Sequence, residues 1–191
     1  MKGRESGMPD ETWWATFFDV DRTLDLMFGA GGPKGDIVEF GCGYGTFTIP
    51  AARRTRGIFM ALDIEPEMVT RVASQSAEAR LGNVHAILRD FVAQGTGLDD
   101  SSQDHAMIFN LLHLEDPHAL LREAARILRP GGVLSVIHWR SDIPTPRGPS
   151  LDIRPTPAQC HDWIETAGFR AVRGIDLQGA CPYHFALTAE R

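Results

Sequence analysis

Residues 38–47 read VEFGCGYGTF, three glycines at alternate positions directly behind a short apolar run. Glycine serves where a backbone must take dihedrals closed to other residues, or must come very close to a partner. Gly41, Gly43 and Gly45 form G-x-G-x-G, whereas a dinucleotide fingerprint needs a glycine five places after Gly41, where Thr46 stands. The stretch has the make-up of a nucleotide loop with spacing that does not suit NAD.

The rest of the chain alternates between two periods. Residues 10–28 carry apolar side chains at helical spacing behind Asp10 as N-cap, as one amphipathic helix or two short ones. Strands are expected at 37–40, 57–63, 84–88, 105–112 and 133–139, with helices at 46–56 and 66–80 between them. Asp116-Pro117 opens a further helix, HALLREAARIL, which Pro130-Gly131-Gly132 is expected to stop. A loop with five prolines (141–157) leads into a helix capped by Thr156 and ended by Gly168, and FRAVRGI and YHFALTA read as an antiparallel pair. Strands alternating with helices predict an α/β fold with a mostly parallel sheet and helices on both faces, and the near-continuous apolar strands fit burial on both sides. Ligands of such sheets bind beyond the carboxyl ends of the strands, which is where the glycine loop falls.

These motifs resemble the class I S-adenosylmethionine-dependent methyltransferases, most nearly the small-molecule branch, over roughly residues 36–139. The resemblance implies a single Rossmann-like domain over 1–191, with a seven-stranded, mostly parallel sheet whose last strand is antiparallel. It divides the chain into an N-terminal helical lid segment (1–35), a cofactor-binding core (36–139) and an acceptor-side loop, helix and terminal strands (140–191). In the family, an acidic residue in the first strand precedes the glycines; here these are Glu39, Gly41, Gly43 and Gly45, and they are expected against the methionine end of S-adenosyl-L-methionine. Asp63 ends the second strand 22 residues after Gly41 and matches the acid that accepts from both ribose hydroxyls, with Ile64 on adenine. In LRDF (88–91), Asp90 matches the acceptor from the adenine amino group and Phe91 the residue alongside the ring. A loop Asp there equally serves as a turn cap. Asn110 ends the fourth strand beside the methyl group. Glu65 stands ahead of Pro66 where many relatives have a Ser or Asp cap.

The function implied is methyl transfer to a small-molecule acceptor by direct displacement. Alternatives are a protein that binds the cofactor without transferring methyl, and a nucleic-acid methyltransferase. Against the latter stand the formal charge of −6, only two lysines (Lys2 and Lys34), and N-L-L-H after the fourth strand instead of an (N/D)PP(Y/F) motif. His113 is the candidate general base, against a histidine that bonds only to backbone; Asn110 is the second catalytic candidate. Trp13, Trp14, Phe17 and Phe18 offer either a lid or plain packing. Arg140 is either an anion anchor or a solvated arginine, and Arg147 and Arg154 belong to the loop shaping the acceptor pocket. No metal is expected: His113 and His118 are five apart, and Cys42, Cys160 and Cys181 are scattered, without C-x-x-C. The reduced cysteines, the absence of a leader pattern in MKGRESGMPDETWW and of any apolar run of 18 residues lead to the expectation of a cytoplasmic protein without a membrane partner. Acceptor identity and oligomeric state have no signature in the sequence.

Overall fold

In the computed structural model, which describes residues 9–191, the strands are β1 (Ile37–Phe40), β2 (Phe59–Asp63), β3 (Val84–Leu88), β4 (Gln103–Phe109), β5 (Leu128–Trp139), β6 (Arg170–Ile175) and β7 (His184–Glu190). They form one sheet of order β3-β2-β1-β4-β5-β7-β6. Pairing is parallel from β3 through β5, and β7 runs antiparallel to both β5 and β6. The first eight residues of the expected lid segment lie outside the described residues. All four residues of β1 are buried, as a strand covered on both faces requires.

Alternate side chains divide the core into two layers. On one face Ile37, Phe59 and Met107 meet α2 (Val20–Phe28), α3 (Thr48–Ala52) and α4 (Pro66–Glu78) through Leu24, Ala51 and Val72. On the other, Val38, Phe40 and Leu134 meet α5 (Phe91–Gln94), α6 (Pro117–Ile127) and α7 (Pro157–Thr166) through Phe91, Leu121 and Ile164. The expected N-terminal helix is two: α1 (Glu11–Ala15), capped by Asp10, and α2, capped by Asp19. Capping also starts α6, where Asp116 Oδ1 accepts from Ala119 N at 2.8 Å ahead of Pro117, and α7, where Thr156 and Gln159 form a reciprocal capping box.

Two expectations are corrected. The helix at 46–56 is only α3, five residues long. Pro130-Gly131-Gly132 does not stop α6, which ends at Ile127; Leu128 is already extended, and β5 runs through the Pro-Gly-Gly as an irregularity. Register jumps there from Gln103↔Leu128 to His105↔Val133, with Gly131 at φ +80° and its N–H bonded to Arg191 O at 2.9 Å. The glycines thus let the strand bulge and pick up the chain's last residue. No helix among the described residues is long and apolar enough to cross a membrane.

The β1–β2–β3 branch and the β4–β5 branch leave β1 in opposite directions, so a crevice opens beyond the carboxyl ends of β1 and β4. Leu121→Ala, at a fully buried position, is expected to cost about 2–5 kcal/mol in urea unfolding. Leu88→Ala, at a residue 54% exposed, is expected to cost less than about 0.5 kcal/mol. Equal losses at the two positions contradict the layer assignment.

Candidate functional site

A cavity of about 450 Å³ fills the crevice. Its wall takes in Glu39, Gly41, Gly43, Asp63, Ile64, Asp90, Phe91, Asn110 and His113, so eight of the nine expected cofactor residues and the candidate base come together. Gly45 is the exception. It does not border the cavity, and a Cβ placed there would come within 2.6 Å of Gln75 Oε1 and 3.1 Å of Val72 on α4. With φ at +78°, Gly45 is glycine for the turn and for helix packing.

Gly41, at φ +71°, starts the loop; its N–H and that of Cys42 donate to Leu62 O at 2.8 and 2.9 Å. Asp63 then fastens the loop to the end of β2. Its Oδ2 accepts from Gly43 N at 2.8 Å and its Oδ1 from Glu65 N at 3.0 Å. A carboxylate has about four lone-pair positions, so two backbone donors leave room for a diol. Burial raises the pKa of Asp63, partly offset by these two hydrogen bonds. Glu39 lies deeper, at 2% exposure, and accepts from Thr48 Oγ1 at 2.5 Å; burial, with the charge of Asp63 adding to it, pushes its pKa up to about 8.

Asp90 does both things its sequence position allows: Oδ1 caps α5 by accepting from Ala93 N at 2.9 Å, and the residue borders the cavity. Phe91 borders it too, its ring edge-on to Phe40 with centroids 5.4 Å apart. Asn110 holds φ +60°, a conformation rare outside glycine, and its buried Oδ1 has no hydrogen-bond partner. An orphaned buried carbonyl costs about 1–3 kcal/mol until a donor reaches it, so this atom is suited to a ligand.

The other half of the cavity is aromatic and basic. Trp14 borders it and donates from Nε1 to Thr46 Oγ1 at 3.0 Å, while Phe17 and Phe18 are core residues and Trp13 is 42% exposed. The aromatic helix therefore contributes one wall residue and otherwise packs. Trp139, Arg147, Gly148, Pro149 and Ile153 complete this side. Arg154 is buried behind them and donates to three carbonyls of the preceding loop: Nε to Pro149, Nη1 to Arg140 and Nη2 to Arg147, at 2.8, 2.9 and 3.2 Å. One guanidinium thus pins the proline-rich loop over Trp139, whose ring it faces at 5.8 Å. Arg140 is bonded instead to Asp142, at 2.9 and 2.7 Å, outside the cavity wall. His113 Nδ1 lies 3.3 Å from His138 Nε2. Burial, with Arg154 adding to it, lowers the His113 pKa to about 4.

The sequence singled out most of the wall but not the orphaned Oδ1 of Asn110, the pinning by Arg154 or the His113–His138 contact. All three cysteines are buried, and burial pushes Cys160 up to about 12 and Cys181 up to about 11, away from thiolate chemistry. Among the described residues, one trio brings metal-ligating atoms within 4.8 Å of one another: His161, Asp162 and Glu165, on the outer face of α7 and apart from the cavity.

Comparison with known proteins finds a match to the family described as "Methyltransferase domain" over residues 37–132. An uncharacterized methyltransferase of Mycobacterium tuberculosis is 32% identical over 143 residues, 73% of this chain and 48% of that protein. The ubiquinone biosynthesis O-methyltransferase of Caulobacter vibrioides is 28% identical, covering 75% and 60%. The tRNA 5-carboxymethoxyuridine methyltransferase of Escherichia coli is 27% identical, covering 80% and 65%. The chain spans about half the length of the first of these curated relatives. The crystal structure of a SAM-dependent methyltransferase from Aquifex aeolicus superposes with a TM-score of 0.79 over 95% of this chain and 93% of that one, at 22% identity, which establishes a shared fold.

Glu39 sets a pH test. The folded protein holds its proton to about pH 8, whereas the unfolded chain releases it near 4.5. Its contribution to stability is whole below pH 4.5 and is lost as pH rises toward 8. Glu39→Gln, which keeps an acceptor for Thr48, is expected to raise the melting temperature by several degrees at pH 8 and to leave it unchanged at pH 4.5. An equal effect at both pH values contradicts the assignment.

Proposed function

Because the chain belongs to the methyltransferase-domain family and has the fold of class I S-adenosylmethionine-dependent methyltransferases, we propose that the cavity binds S-adenosyl-L-methionine and that the protein methylates a small-molecule acceptor. The observation that carries this is the meeting of Glu39, the Gly41–Gly43 turn, Asp63, Asp90 and the orphaned Asn110 Oδ1 in one wall.

The donor set suits the ligand's parts. The glycine turn leaves its backbone open to the methionine end, and Glu39 lies beneath it as a proton-holding carboxyl able to ionise beside a cation. Asp63 has acceptor positions for the ribose hydroxyls, Ile64 and Phe91 supply apolar surface for adenine, and Asp90 an oxygen for its amino group. Asn110 Oδ1 would complete the set as a free acceptor in the cavity wall. When bound, S-adenosyl-L-methionine would supply an electrophilic sulfonium methyl, with sulfur as the leaving group, to a lone pair of the acceptor. The chain's contribution is alignment and exclusion of water, which together supply about 7–11 kcal/mol in well-oriented reactions. His113 takes up the acceptor's proton. Above about pH 4 its ring is neutral, and the burial that keeps it so also lowers its basicity.

The small-molecule reading draws on the formal charge of −6, which repels polyanions, and on the pinned loop that roofs the acceptor side. The named relatives methylate both kinds of acceptor, so the test separates them. In calorimetry, S-adenosylhomocysteine and S-adenosylmethionine are expected to bind and NADH not to; Asp63→Ala, checked for folding by circular dichroism, is expected to weaken binding at least about tenfold. With methyl-tritiated cofactor, a metabolite extract and total tRNA as acceptors, label is expected in acid-soluble products. Label in acid-precipitable RNA overturns the acceptor class, binding without transfer overturns the transferase reading, and preferential binding of NADH overturns the whole.

A further inference from the structure

We propose that His138 is a positioning residue: it holds His113 in the tautomer protonated at Nδ1, and so keeps the lone pair of Nε2 toward the cavity. The inference rests on His113 acting as the proton acceptor.

The chain of hydrogen bonds has one direction. Trp139's backbone carbonyl can only accept, so His138 Nδ1, 3.1 Å from it, carries the proton. His138 is fully buried in β5. Being neutral there, it has only a lone pair at Nε2. His113 Nδ1, 3.3 Å from that lone pair, must donate. Among the described residues this is the ring's sole hydrogen bond, and His113 Nε2 is not among the polar atoms sealed inside the protein. The ring borders the cavity, so Nε2 is the atom that meets an incoming acceptor. In the opposite tautomer that atom would bear a hydrogen and could take up no proton.

Charge around the pair makes the tautomer the variable that counts. The ionisable groups facing it are Arg154, from the roof loop, and His184, from β7. Burial, reinforced by Arg154, holds His113 near 4 and His138 and His184 near 3, so all three rings are neutral at pH 7. His184 stacks on Trp139 at 4.1 Å between centroids and has no hydrogen-bond partner on either nitrogen, so it stands outside the chain. The His113–His138 contact spans 25 residues and exists because β4 and β5 pair in parallel, with Phe109 opposite Ile137.

Long-range proton–nitrogen NMR on protein labelled with ¹⁵N in the histidine rings reads the tautomer without any acceptor, with His113→Gln used to assign the signals. At pH 7, wild-type His113 is expected to show a protonated Nδ1 and a bare Nε2. His138→Phe, which removes the acceptor, is expected to shift His113 toward the Nε2-protonated form. His138→Gln, which restores an oxygen near the lost Nε2, is expected to keep the wild-type pattern. A role in packing alone would leave the His113 protonation site indifferent to position 138. Wild-type His113 protonated at Nε2, or an unchanged pattern in His138→Phe, overturns the proposal; the wild-type spectrum decides even where the Phe variant does not fold. Because this readout needs no cofactor, its failure leaves the cofactor-binding titrations standing. Failure of those titrations with the tautomer intact would remove the pair's catalytic role and not its geometry.

Discussion

The 2.8 Å hydrogen bond from Gly43 N to Asp63 Oδ2 is the contact on which the carboxyl edge depends. It joins the turn after β1 to the last residue of β2, and the other oxygen of the same carboxylate holds Glu65 N at the entry to α4. One buried carboxylate therefore sets the loop shape, the start of the next helix and the floor of the cavity. Glu39 keeps its proton chiefly because it is buried, and the charge of Asp63 on the neighbouring strand adds to that.

Four acidic residues border the cavity: Glu39, Asp63 and Asp90, and Glu115 just past His113. Arg154 and three uncharged imidazoles back its aromatic side, the guanidinium bonded to three backbone carbonyls. Burial keeps the three histidines neutral, and the arginine that pins the roof adds to it.

What the sequence carries and what it lacks follow from range. Alternating periods, Asp and Thr caps ahead of Pro117 and Pro157, and glycines behind an apolar strand are local signals, and β1, β2, β3, α4, α6 and α7 were legible from them. Asp63, Asp90 and Asn110 were singled out because they match the methyltransferase motifs that follow the second, third and fourth strands, and all three border the cavity. The rest needs partners distant in the chain. Gly45 stands outside the cavity wall, and its positive φ and the closeness of Val72 on α4 are what call for glycine there. Pro130-Gly131-Gly132 reads as a helix stop until the C-terminal Arg191 is seen pairing with it across β5. Arg140 and Arg154 look alike in sequence, yet one is neutralised by Asp142 two residues away and the other buries itself against backbone.

The most direct test of the account is a crystal structure grown with S-adenosylhomocysteine. It should place the ribose hydroxyls on Asp63, the amino-acid end along Gly41–Gly43 and a donor on Asn110 Oδ1. Ligand density elsewhere, such as in the cavity of about 460 Å³ at the opposite end of the sheet beside Lys34 and Arg129, would contradict it.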